Sequence, residues 1–322
     1  MVRLAERRAS VSELRAEGEP HPMVRLVLLT VFLAACQPDL GPSSSVVNRL
    51  RLLAVQMEPA EVVPGTVATY TALVGDANGP ASPTINWSYC LAPKPLNENN
   101  TVASACLFDP TMASVLGAGP SVMANVPVNA CALFGSSPPP QDPTSPPLRP
   151  RDPDVTGGYY QPIRVDDSLE PTFALQRITC DLANATTDQT IAYRMTYKAN
   201  TNPTLTAVSA RASDGSELDL NALPANTAIT LHAEWLPEAA ETFPVFDLNT
   251  RTLRDSRESL RVSWYVTGGT LLLDRSGRAS DDLEVFAENT WATPPPGPAH
   301  LWAVLRDSRG GVGWLDYAVT MK

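Results

Sequence analysis

One stretch constrains the fold before any other: TVATYTALVGDANG, Thr66 to Gly79. Its apolar residues Ala68, Tyr70, Ala72 and Val74 recur at every second position, the period of a strand with one buried face, and Asp76 to Gly79 is a turn signal. More short runs of the same kind surround it: LRLLAVQ (50–56), EPAEVVPG (58–65) and TINWSYC (84–90). The order recurs downstream as LTAVSARA (205–212), LPAN (223–226), TAITLHAEW (227–235) and, after an insertion, LRVSWYVTGG (260–269). There Ile229, Leu231, Ala233 and Trp235 alternate inward, and Trp264 sits in its strand as Trp87 sits in the earlier one. Strand after strand without a helical period predicts an all-β sandwich or barrel, and the recurrence predicts an internal repeat.

Both copies resemble bacterial immunoglobulin-like modules of the polycystic-kidney-disease type. The matching features are a Pro64-Gly65 turn opening the second strand, an Asp76-x-x-Gly79 turn closing it, and a core Trp in the third strand. Ala299 to Lys322 resembles the last hairpin of that family, with Asp307 to Gly311 as the turn. The likeness covers about 120 residues of the second copy and about 45 at the start of the first. It implies two immunoglobulin-like β-sandwich domains in tandem, a fold that by itself implies no activity.

The first copy departs from this pattern after Cys90. Roughly 80 residues follow, with eight prolines in the sixteen positions Pro138 to Pro153, a stretch expected to run as a surface loop. GGYYQPIRV (157–165) and TFALQRITC (172–180) read as returning strands. Thr187 to Lys198 fits either a strand or a short capped helix, with Ile191 and Met195 one turn apart. A boundary at Lys198 to Pro203 divides the chain into an immunoglobulin-like domain with an insertion, 49–200, and a second domain, 201–322.

The N-terminus carries an address. Leu26 to Ala35 holds ten residues, all apolar but Thr30, too few for the roughly 20 that cross a bilayer but the length of a signal-peptide core. Leu33-Ala34-Ala35-Cys36 then resembles the lipobox of bacterial lipoproteins. That resemblance implies cleavage before Cys36 and acylation of its sulfur, so 1–35 is expected to be a signal peptide and 36–48 a flexible tether. Gln37, where the family uses Asp for inner-membrane retention, implies the outer membrane in a cell that has one. An ordinary cleaved signal with a chance cysteine is the plainer alternative. Residues 1–22 open with the Met-Val-Arg-Leu found again at Met23, which is read as the true start.

Without the leader, 19 basic and 30 acidic side chains remain, a net charge near −11 that disfavours nucleic acid and anionic lipid as partners and leaves the lipidated N-terminus as the route to a membrane. With Cys36 assigned to lipid, Cys90, Cys106, Cys131 and Cys180 remain, an even set that reads as two disulfides in an oxidising compartment. Of three connectivities, Cys90 with Cys106 and Cys131 with Cys180 is preferred. A metal site is disfavoured by the lack of paired CxxC spacing and nearby histidine.

Chemistry is sparse, and no catalytic residue, cofactor or metal is expected. His232 and His300 stand outside HExxH and GxSxG contexts and are assigned to solvated outward strand faces. Asp274 to Asp282 could wrap calcium, but the spacing fits no EF-hand and Arg275 and Arg278 interrupt it, so a solvated loop is expected. Strands three, six and seven share a sheet in immunoglobulin-like sandwiches. With Trp264, Leu301, Ala303, Leu305, Leu315, Tyr317, Val319 and Met321 inward, Tyr265, Trp302 and Trp314 face outward together, a candidate patch for a glycan or an envelope protein. The alternative is that the first domain, or the insertion 239–250, covers them. The functional expectation is a lipid-anchored, non-catalytic binding or structural module of the cell envelope. Alternatives are an envelope hydrolase sited in the Cys90–Cys180 insertion, which lacks histidine and has few acids, and a passive subunit of an envelope complex.

Overall fold

Alternating apolar residues pair as strands because each buries one face and leaves its backbone to be satisfied by a neighbour. In this computed structural model, residues 43–95, 97–136, 143–144, 158–166, 171–247 and 249–322 are described. Cys36, the leader, the tether as far as Pro42 and nearly all of the proline-rich stretch lie outside them. Ser43 to Lys322 forms one compact body.

Its first half runs through β1 (Arg51–Glu58), β2 (Glu61–Val62), β3 (Val67–Asp76), β4 (Gly79–Pro80), β5 (Asn86–Cys90), β6 (Ala113–Ala118), β7 (Ser121–Asn125), β8 (Gly158–Asp166) and β9 (Pro171–Thr179). One sheet has β3 at its centre, flanked by β1 on one side and by β4 and β7 on the other; the facing sheet runs β2-β9-β8-β5-β6, with β2 parallel to β9. Ala68, Tyr70 and Val74 point between the sheets as their spacing predicts, with Ala72 packed against them. Trp87 and Tyr89 meet them from the other side, and the buried Tyr70 and Tyr89 hydroxyls satisfy each other at 2.7 Å.

The second half repeats the plan with β10 (Leu205–Arg211), β11 (Glu217–Leu218), β12 (Ala228–Trp235), β13 (Thr242–Asp247), β14 (Thr252–Arg257), β15 (Leu260–Val266), β16 (Thr270–Leu271), β17 (Arg275–Arg278), β18 (Phe286–Ala292), β19 (Gly297–Asp307) and β20 (Val312–Met321). Sheet β11-β10-β12-β18-β16 faces sheet β17-β15-β19-β20, and β13–β14 is a separate hairpin inserted between β12 and β15. Trp235, Trp264, Leu301, Ala303 and Leu305 fill the core, with Leu315, Tyr317, Val319 and Met321 beside them as predicted. The chain is therefore all-β, two immunoglobulin-like sandwiches in tandem.

The first sandwich carries a stapled insertion. Short helices α1 (Ala105–Phe108) and α2 (Ala130–Phe134) bring cysteines back to strand ends, pairing Cys90 with Cys106 and Cys131 with Cys180. Thr187–Thr196 is helix α3, opened by a capping box in which Thr186 accepts from the Gln189 backbone and Gln189 accepts from that of Thr186. The apolar pair that suggested a helix is not its buried face: Ile191 and Met195 are exposed, while Tyr193 packs with Leu182 and Phe246 on the inserted hairpin.

Candidate functional site

The outward face of β15, β19 and β20 is where a site was expected, and strand register places Tyr265, Trp302 and Trp314 there. Tyr265 stands opposite Trp302, and Trp314 opposite Val304. The expectation of an open aromatic patch is corrected. Trp302 is 0% exposed, packed with Val304 and Val312 against Leu53, Ala54 and Leu73 of the first sandwich, and Tyr265 and Trp314 are half-buried at its edges. The cause is a close approach of sheets: a Cβ built on Gly75 of β3 would lie 2.9 Å from Cζ2 of Trp302, so only glycine leaves room for the indole. Of the two covers considered above, the first sandwich is the one found.

Polar contacts close the seam. Arg306 donates to the Leu53 carbonyl at 2.9 Å, Gln56 donates to the Val312 carbonyl at 2.7 Å, and Asn202 donates to the Met57 carbonyl at 2.8 Å. The segment entering β1 also joins the second sandwich, with Val46 bridged in parallel to Val266. Serines 43, 44 and 45 all donate to the Asp274 carboxylate, whose pKa they hold below the usual range. That first carboxylate of the 274–282 loop is thus taken by hydroxyls. Asp282 pairs with Arg278 at 3.1 Å.

At one end of the seam lies a buried ionic network. Glu61 accepts from Arg177 at 3.0 Å, from the Tyr197 hydroxyl at 2.6 Å and from the Asn200 backbone at 3.0 Å. Arg309, in the β19–β20 turn, donates to Glu258 at 2.6 Å, to Glu241 at 2.7 Å and to the Lys198 carbonyl at 3.0 Å. Asp307 accepts from the backbones of Arg309 and Gly311 and from Asn200. Burial, reinforced by the Asp307 charge and opposed by Arg309, pushes Glu258 up to about 7, and burial likewise raises Asp307.

The histidines are also corrected. Both point away from the sandwich core as assigned, but neither is solvated: they are 6% and 7% exposed. His232 stacks on Phe286 and lies 3.0 Å from Glu288 and 2.9 Å from Glu234; His300 lies against Trp302 in the seam, 3.1 Å from Asp316.

Beside the seam, a cavity of about 550 Å³ opens on the outward face of β15, β17 and β19. Arg261 stands directly opposite Arg306, and Ser263 opposite Arg275, so three arginines from adjacent strands line it. Tyr265 forms one wall, with Arg51 over its ring at 5.4 Å. Arg306 donates to the Ser263 hydroxyl at 2.9 Å, and burial holds its guanidinium below the usual arginine range. Among the described residues none of Arg261, Arg275 or Arg306 forms an ion pair, while the Asp307 carboxylate on the rim is engaged by Asn200 and the turn backbone. The sequence reading missed these arginines although parity held the clue: in LRVSWYV, Arg261 shares the outward register of Tyr265. A second cavity, of about 440 Å³, sits at the Cys131–Cys180 disulfide, and Asp181 on its wall pairs with Arg194.

No protein-family profile matches the chain, and no curated protein matches it. Among solved structures it is similar to the D0-D1 domain of intimin, at 12% identity over 84% of this chain and 98% of that one, with a TM-score of 0.23. It is similar to fibronectin(III)-like modules of Clostridium thermocellum CbhA, at 12% identity over 87% and 92% of the chains and a TM-score of 0.24. The C-terminal domain of the Streptococcus agalactiae AgI/II polypeptide BspA aligns at 9% identity over 82% and 95%, with a TM-score of 0.22. At these values the likenesses carry no weight on arrangement or function, and the fold stands on the strand order and register given above.

Proposed function

We propose that this protein is a lipid-anchored module of the cell envelope that works as a rigid, non-catalytic binding or structural unit. The observation that carries the reading is the seating of Trp302: the aromatic face of Tyr265, Trp302 and Trp314 joins the two sandwiches, so both are presented as a single stiff body. Two disulfides support an oxidising, extracytoplasmic compartment. The lipobox-like Leu33-Ala34-Ala35-Cys36 supplies the anchor, and several acyl chains on one residue hold durably where a single chain holds only marginally. Glycan or protein recognition then falls to the loops and the outer faces that remain open.

Fractionation of cells tests this. The wild-type protein is expected with the outer-membrane fraction and Cys36→Ser in the soluble fraction or retained as uncleaved precursor. Equal membrane association of both, or wild-type protein in the cytosol, would contradict the anchor.

A further inference from the structure

The arginine-lined cavity beside the seam carries an inference beyond the anchored-module reading, and it stands or falls separately from it. In a chain of net charge −10, three arginines without a direct ion pair are gathered around one cavity, Arg275 alone acting at longer range on a carboxylate, that of Asp274. Like charges directly opposite on neighbouring strands repel, yet Arg261 and Arg306 face each other across β15 and β19, with Arg275 on the adjoining strand. Arg306 is held in place by Ser263 and the Leu53 carbonyl, so its guanidinium cannot swing away to relieve the repulsion. Guanidinium groups present paired N–H donors whose fork matches the oxygens of a phosphate. A hydroxyl at Ser263, an aromatic wall at Tyr265 and a volume of about 550 Å³ leave room for more than a bare ion.

We propose that this cavity binds a phosphate group carried on a small polar molecule or headgroup, with Arg261, Arg275 and Arg306 as its cationic ligands. The anion sits between the opposed guanidinium groups and removes their repulsion. The overall negative charge keeps polyanions away, while the local arginines accept a single group.

Isothermal titration calorimetry of the full chain with inorganic phosphate tests the proposal, with an arm measuring flotation on phosphatidylcholine vesicles with and without phosphatidic acid. Arg261 and Arg275 are exposed, so the variant R261A/R275A leaves the core untouched. Saturable one-to-one binding by the wild type is expected, weakened about tenfold or more in R261A/R275A. It should be unchanged in R194A, whose guanidinium pairs with Asp181 at the other cavity. Flotation that rises with phosphatidic acid in wild type but not in R261A/R275A assigns the group to a lipid headgroup; phosphate binding without that difference assigns it to a soluble phosphate ester. Absence of saturable phosphate binding, or equal weakening in R194A, would overturn the proposal.

Discussion

Glu258 shows how one residue ties stability to pH. It is buried beside Asp307, with Arg309 as its counter-ion, and its pKa stands at about 7 against 4.5 for the free side chain. A carboxyl whose folded pKa is raised binds its proton more tightly in the native state. The stability it contributes is therefore full below pH 4.5 and is lost as pH rises through about 7. Thermal unfolding followed between pH 5.5 and 8 is expected to show Tm falling with rising pH, with a shallower fall in Glu258→Gln. A slope that is unchanged in that variant would assign the dependence to other groups. Arg309 itself was visible as part of a turn, but its carboxylate partners lie 51 and 68 positions away in the chain, and no local pattern announces a pairing over that distance.

At the scale of elements, strands were legible and their outer surroundings were not. The two-residue period at Ala68–Val74 and Ile229–Trp235 is a local property, set by which side chains must leave water, and it survives intact in the fold. Whether an outward face is open depends on what docks there: the strand period sets the outward register of Trp302 and His300, while the first sandwich that covers both lies far from them in the chain. Helix α3 was readable from its cap but not from its apolar pair, because its buried side is set by the β13–β14 hairpin arriving from the second sandwich. The stapled insertion supplies the prediction at this scale. The Cys131–Cys180 bridge closes 49 residues and Cys90–Cys106 closes 16. Loop entropy then assigns about 4 kcal/mol to the first and about 3 kcal/mol to the second. Urea unfolding of C131S/C180S should lose more stability than that of C90S/C106S; the reverse order would mean that native contacts, not chain entropy, dominate.

The whole molecule is defined by the seam. Its apolar part joins β1 and β3 of the first sandwich to β19 and β20 of the second, its polar part links Glu61, Arg177, Tyr197 and Arg309, and the chain entering β1 is bridged to Val266 of the far sandwich. Small packed units that share buried side chains unfold together, since exposing the shared surface costs both partners. Trp302 is the centre of that shared surface, and its indole N–H has no partner among the described residues, so packing rather than hydrogen bonding makes it effective. Removing it should cost about 3–5 kcal/mol and fall mainly on the coupling between sandwiches. Differential scanning calorimetry tests this most directly: the wild type is predicted to unfold in one transition whose calorimetric and van't Hoff enthalpies agree, and Trp302→Ala in two resolved transitions. Two well-separated transitions in the wild-type protein would contradict the account.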